Sequence, residues 1–298
     1  PNNYGRSYSG SMPLTVALAK SINTIPVQMS IAIGKATGET HEARAARIGR
    51  MKIVETCRAM GLTTPLTDTV SLPIGAGEVT VIEQAAGYAV FANGGKRAKP
   101  YAAFDIRNSA GEEIYRHDRD EPAPAQALST QVAFEMNQML STVPTAGTGR
   151  RAALDGVVSA GKTGTTNGYK DAWYVGYTGN LVGAIWFGND DSSETNNMTG
   201  GSLPAMTWKE IMAFAHQGIE LKPIPGVTPQ PGDAKAAVAK AAQPSGATGA
   251  SAGHMPRKSF EVLSAVGAMF KGVEAPRTAR ASIQAGVRDT TPGLSAIR

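Results

Sequence analysis

Two short runs in this 298-residue chain carry side chains that could do chemistry together. The first is Gly161-Lys162-Thr163-Gly164-Thr165-Thr166. A lysine, hydroxyl residues and a glycine on one strand make a compact clamp for an anion borne on a peptide. The ammonium supplies fixed positive charge, the hydroxyls can bond a carboxylate, and Gly164 removes a side chain so that a substrate backbone can approach. An ordinary edge strand with a solvated lysine reads the same way, so this run needs a partner. The second run, Ser21-Ile22-Asn23, lies where one helical pattern stops and another starts. Two apart in a loop, Ser21 and Asn23 can both face one cleft, although the same residue types also serve as helix caps.

Two further patterns overlap the lysine. Gly156-x-x-x-x-Gly161-Lys162-Thr163 fits the phosphate-binding P-loop letter for letter. That loop needs a helix after its Lys-Thr, and Gly164-Thr165-Thr166-Asn167-Gly168 is poor helix sequence. Ser159-x-x-Lys162 fits the nucleophile pattern of penicillin-recognising serine enzymes. That pattern works on a helix, where positions three apart share a face; on a strand an odd separation puts them on opposite faces. Both matches are read as accidental. The four histidines show no metal-binding spacing, and the single Cys57 excludes both an internal disulfide and a cysteine zinc site. Neither a metal nor a cofactor is expected, and Cys57 is read as a core residue.

The elements that must position these runs follow from periodicity and caps. A short helix fits Leu14 to Lys20. Another starts with Thr24 as N-cap and Pro26 in its first turn, and stops at Gly34. A longer one covers Glu42–Met60, with Ile48, Met51, Val54 and Cys57 on one face and Gly61 as its stop. Thr80-x-x-Glu83 is a capping box for a helix that runs to Gly94-Gly95. Residues 100–116 form a hairpin turning at Asn108–Gly111, and Ser129 opens a helix carrying Val132, Met136, Met139 and Leu140. Strands fit Val157–Thr165, Asp171–Thr178 and Leu181–Gly188, with a tight turn at Gly179-Asn180. A last helix fits Ala205 to His216. Helices followed by an antiparallel sheet make an α+β arrangement.

The charge of the chain separates its body from its tail. Residues 1–219 hold 19 basic and 19 acidic side chains, whereas residues 220–298 hold 10 basic and 5 acidic, the whole excess of +5. The basic balance therefore describes the tail and gives no reason to expect nucleic-acid binding by the body. The expected organisation is a domain over 1–219, a Pro/Ala/Gly-rich linker over 220–256 and a basic, disordered tail over 257–298. The tail is read as solvated, with attraction to anionic lipid or cell-wall polymer as the alternative. No run of apolar residues is long enough to span a membrane.

Ser-x-Asn followed by Lys-Thr-Gly is the paired signature of β-lactamases and penicillin-binding proteins. Several surrounding stretches resemble the high-molecular-weight class A penicillin-binding proteins in particular. They are Asn3-Tyr4, Ala17 to Asn23, Gly77-Glu78-Val79-Thr80, Phe91 to Gly95, Gly147-Thr148-Gly149-Arg150, Gly161 to Thr166 and Asp171 to Tyr177. The resemblance covers about residues 1–218. It implies part of a β-lactamase/transpeptidase-like fold and a D,D-transpeptidase that cross-links peptidoglycan stem peptides through a serine acyl-enzyme. β-Lactam antibiotics and cell-wall assembly partners are implied with it, at the extracytoplasmic face of a bacterial inner membrane. Ser21 would relay a proton to the departing nitrogen, Asn23 would bind the substrate amide, and Lys162 would hold positive charge beside Ser21 and the substrate carboxylate. Thr163, Gly164, Thr165 and Thr166 would line the substrate, Thr163 and Thr165 binding its carboxylate. The Thr165 N–H would form half of an oxyanion hole.

One part of the pattern is missing. The family's nucleophile lies in a Ser-x-x-Lys upstream of Ser-x-Asn, and every lysine here except Lys162 has a non-serine three residues before it. The expectation is a fragment of such an enzyme, inactive alone, with its nucleophile, glycosyltransferase domain and membrane anchor elsewhere and some apolar surface left uncovered. A non-catalytic module that holds peptidoglycan or a partner would also lack the nucleophile, and it stands as the alternative.

Overall fold

The computed structural model describes residues 2–6, 8, 10–97 and 99–228. Its elements run α1 (Leu14–Ala19), α2 (Thr24–Lys35), α3 (Glu42–Met60), α4 (Val81–Ala92), β1 (Lys96–Arg97), β2 (Asp105–Arg107), β3 (Glu113–Arg116), a one-turn α5 (His117–Asp120), β4 (Ala125–Gln126), α6 (Thr130–Ala146), β5 (Ala160–Thr165), β6 (Asp171–Tyr177), β7 (Val182–Gly188) and α7 (Leu203–Ala215). Strands β5, β6 and β7 form an antiparallel meander with β5 at one edge. The pairs β1–β4 and β2–β3 are separate two-stranded ribbons. The α+β reading is borne out, and no helix among the described residues is long and apolar enough to cross a membrane.

The meander is covered on both faces. Tyr174 and Tyr177 stand three apart on the central strand β6, so they point to opposite sides. Tyr174 packs with Trp208 of α7, ring centroids 5.3 Å apart, together with Ala152, Ala205 and Met212. Tyr177 packs on the other side with Leu140 of α6, Ala160 and Ile224. Its hydroxyl donates to Asn137, whose amide in turn donates to the carbonyls of Phe91 and Pro225. That buried network satisfies each polar group it contains.

The caps follow local chemistry. Thr80 and Glu83 form the reciprocal capping box, and Glu83 also accepts from the backbone and hydroxyls of Thr63 and Thr64. Those donors hold its carboxyl far below the usual carboxylate range. Ser129 caps α6, and Gly61 ends α3 at φ 113°. The hairpin turns where expected, its Asn108 carboxamide accepting from the amides of Ala110 and Glu112.

Five details depart from the sequence reading. Helix α2 is capped at Asn23, not Thr24: the Thr24 amide is already inside the helix and donates to Asn3 Oδ1 at 3.1 Å. The same helix continues one residue past Gly34. The buried face of α3 is Ala45, Gly49 and Val54, while Met51 is exposed and Cys57 only half-buried. Small residues win that face because α2 lies so close that a methyl at Gly49 would overlap the Ser30 carbonyl. Strand β5 starts at Ala160, since Val157 is used in a bridge to Leu154. Finally, residues 220–228 belong to the body: Ile224 is 1% exposed, and Asn180 bonds both Glu220 and Lys222. The linker and tail expected beyond them, residues 229–298, lie outside the described residues. Uncovered apolar surface is present on the α2–α3 pair, where Met29, Ile33 and Met51 are exposed, and at the nearby Val70.

Candidate active site

Helix α1 ends in a Schellman turn, and that turn presents Ser21. The Ser21 amide donates to the Leu18 carbonyl and the Ile22 amide to the Ala17 carbonyl, at 3.1 and 3.0 Å. This bonding requires a left-handed residue between them, normally glycine. Ser21 holds that place at φ 56°. A non-glycine residue kept in a strained conformation points to a use for its side chain.

The use is visible across the cleft. Lys162 Nζ donates to Ser21 Oγ at 2.8 Å and to the Thr163 carbonyl at 3.0 Å. Ser159 lies just before β5 and is buried. No carboxylate pairs with Lys162 among the described residues. Burial without a counter-charge pushes its pKa down to about 8. At neutral pH the group is still mainly an ammonium, a pure donor, so Ser21 Oγ must accept and its own proton stays free to give.

The threonines flank this pair. Thr163 Oγ1 lies 2.6 Å from Thr148 Oγ1. Thr165 Oγ1 accepts from the Gly200 amide at 3.0 Å, which leaves its O–H free to donate. Lys162, Thr163 and Thr165 thus stand in one short row of β5, an edge strand, with Ser21 bonded to the first of them. Such a row suits an anionic group on a bound ligand.

Three expected site residues are placed differently. The Asn23 amide donates to the Asn2 carbonyl at 2.9 Å. The Thr166 hydroxyl is bound to Asp171 on both sides, accepting from its amide at 2.8 Å and donating to its carboxylate at 3.1 Å, which closes the turn between β5 and β6. At Gly164 the missing side chain accommodates the chain itself: a methyl would lie 3.2 Å from Trp173 Cβ, and the Gly200 backbone is packed over its peptide. The sequence reading gave no role to Asn3, Thr148 or Gly200, which support the site. The stretch Gly147–Arg150 carries part of the family resemblance, and that is the available signal for Thr148.

The geometry around Lys162 excludes a P-loop, in keeping with the reading of that match as accidental. Lys162 lies inside a strand paired antiparallel to β6, and a single 3-10 turn, Asn167–Tyr169, follows instead of an α-helix.

The family described as "Penicillin binding protein transpeptidase domain" matches residues 2–213. Penicillin-binding protein 1A of Neisseria flavescens is 32% identical over 229 residues, which cover 75% of this chain and 27% of that protein. The chain thus spans about a quarter of the length of the curated relatives it matches. Among solved structures, the PonA1 protein of Mycobacterium tuberculosis in complex with penicillin V is similar with a TM-score of 0.65 at 23% identity, over 78% of this chain and 63% of that one. Penicillin-binding protein A of M. tuberculosis, solved as an imipenem acyl-enzyme complex, gives a TM-score of 0.52 at 26% identity, over 71% of this chain and 50% of that one.

Proposed function

This chain belongs to the penicillin-binding protein transpeptidase family, and on that premise we propose that it supplies the carboxylate- and proton-handling half of a peptidoglycan D,D-transpeptidase site. The nucleophile, a Ser-x-x-Lys serine, comes from residues outside 1–298. In the reaction that serine attacks the carbonyl of a terminal D-Ala-D-Ala peptide bond, D-alanine leaves, and the acyl group passes to an amine of a neighbouring stem peptide. Lys162 keeps positive charge beside the reacting centre. Ser21 hands its free proton to the departing nitrogen. The Thr163 and Thr165 hydroxyls hold the terminal carboxylate, and the Thr165 amide contributes to the oxyanion hole. Asn23 binds the substrate's amide once it exchanges the Asn2 carbonyl for it. A β-lactam enters as a mimic of the dipeptide and stays as a slow acyl-enzyme. The working location is the extracytoplasmic face of the membrane, with anchorage by residues outside this chain.

The observation that carries this reading is the 2.8 Å bond from Lys162 to Ser21, which joins two motifs 141 residues apart. Fluorescent penicillin tests it. The full-length protein takes the label, the chain 1–298 alone does not, and Lys162→Met in the full-length protein slows labelling by about a hundredfold or more. Unchanged labelling of Lys162→Met contradicts the reading, and failure of the full-length protein to label favours a non-catalytic binding module.

A further inference from the structure

The loop before β5 touches both halves of the site through one residue. The Thr148 amide donates to the Ala19 carbonyl at 3.0 Å, at the end of the helix whose turn presents Ser21. The Thr148 hydroxyl meets the Thr163 hydroxyl at 2.6 Å. The residue has little freedom to move. A methyl at Gly147 would overlap the Ala19 carbonyl, and a methyl at Gly201 would overlap the Thr148 carbonyl. On the inner side the Tyr174 ring packs so closely that a methyl on Gly149 would lie 2.9 Å from it and one on Gly161 2.6 Å from its hydroxyl. Thr148 itself is exposed.

A hydroxyl has one proton and two lone pairs. In the free protein either threonine can donate to the other. Once Thr163 gives its proton to a carboxylate, only one direction remains: Thr148 O–H must donate to Thr163 Oγ1. The two hydroxyls then form a chain polarised toward the anion, and each bond strengthens the next. Resting on the transpeptidase reading above, we propose that Thr148 is a positioning residue for the carboxylate subsite, orienting and polarising the Thr163 hydroxyl while its backbone N–H ties the loop to the end of α1.

The test separates a hydroxyl relay from a scaffold role. In the full-length protein, acylation rates are measured with benzylpenicillin and with its methyl ester, for the native sequence, Thr148→Val and Thr148→Ser. Valine keeps the shape and removes the proton; serine keeps the proton. The expected result for Thr148→Val is a loss of about tenfold with the free acid and less than about twofold with the ester. Thr148→Ser restores the rate with the acid. Equal losses with both probes, or no loss with either, overturn the proposal. The exposed position tolerates valine, and an unchanged melting temperature confirms that the variant is folded. If the native protein is acylated by neither probe, the transpeptidase reading itself fails and this proposal falls with it.

Discussion

Ser21 offers a measurement of how much stability this fold gives up to present one hydroxyl. At φ 56° an L-residue is held about 1 kcal/mol above its relaxed conformation, whereas glycine meets no such penalty. Ser21→Ala and Ser21→Gly both delete Oγ and both lose the Lys162 bond, so that loss cancels between them. Relative to the native chain, Ser21→Ala costs about 1.5–3 kcal/mol for a hydrogen bond to a charged donor. Ser21→Gly recovers about 1 kcal/mol of it by relieving the left-handed strain. Urea denaturation of the chain, with both variants under identical conditions, reads the difference directly. Glycine more stable than alanine by about 1 kcal/mol is the expected result. Equal stability, or alanine the more stable, would refute the claim that the Schellman turn holds Ser21 in place against its own preference.

Two further effects follow from the same geometry. Gly200→Ala puts a methyl 2.5 Å from the Gly164 carbonyl, against backbone that cannot yield, and should cost about 3 kcal/mol in urea denaturation; a loss under about 1 kcal/mol would mean that this loop does not seat on β5. Lys162 should make stability rise with pH. Below about pH 8 the folded and unfolded chains both carry its proton and the burial cost is fully present, while from there up to the ordinary lysine value of 10.5 only the unfolded chain keeps it. The native-minus-Lys162→Met difference in unfolding free energy should therefore rise by up to about 3 kcal/mol across that window, and a flat difference would show that the lysine is solvated. The subtraction removes the tyrosines, whose buried hydroxyls titrate in the opposite sense: Tyr88, pushed up to about 12, keeps its proton in the fold after the unfolded chain has lost it.

Where the chain's own neighbours decide the structure, the sequence was legible. The Thr80–Glu83 box, the Gly61 stop and the Asn108–Gly111 turn depend on residues within a few positions of each other, and the three-strand meander pairs strands that are neighbours in sequence. Family resemblance then brought Ser21 and Lys162 together before any geometry was known. What could not be read depends on distant partners. Ile224 looks like part of a Pro/Ala-rich linker until Leu140 and Tyr177 are seen to enclose it. The inner face of α3 is made of Ala45 and Gly49 because α2 needs close approach, and periodicity of large apolar residues pointed elsewhere. The resemblance implies a substrate role for Thr166, and what it does not reveal is that the Thr166 hydroxyl is bonded to Asp171, five residues on, in the turn between β5 and β6. The Thr148–Thr163 contact joins a loop to a strand and leaves no periodic trace.

The central claim is that residues 1–298 carry one half of an acylation site and that the attacking serine is elsewhere. Proteolysis and mass spectrometry of the penicillin-treated full-length protein locate the adduct. The expected result is a penicilloyl group on a serine outside residues 1–298, followed three residues later by lysine. An adduct on Ser21 or Ser159 would contradict it.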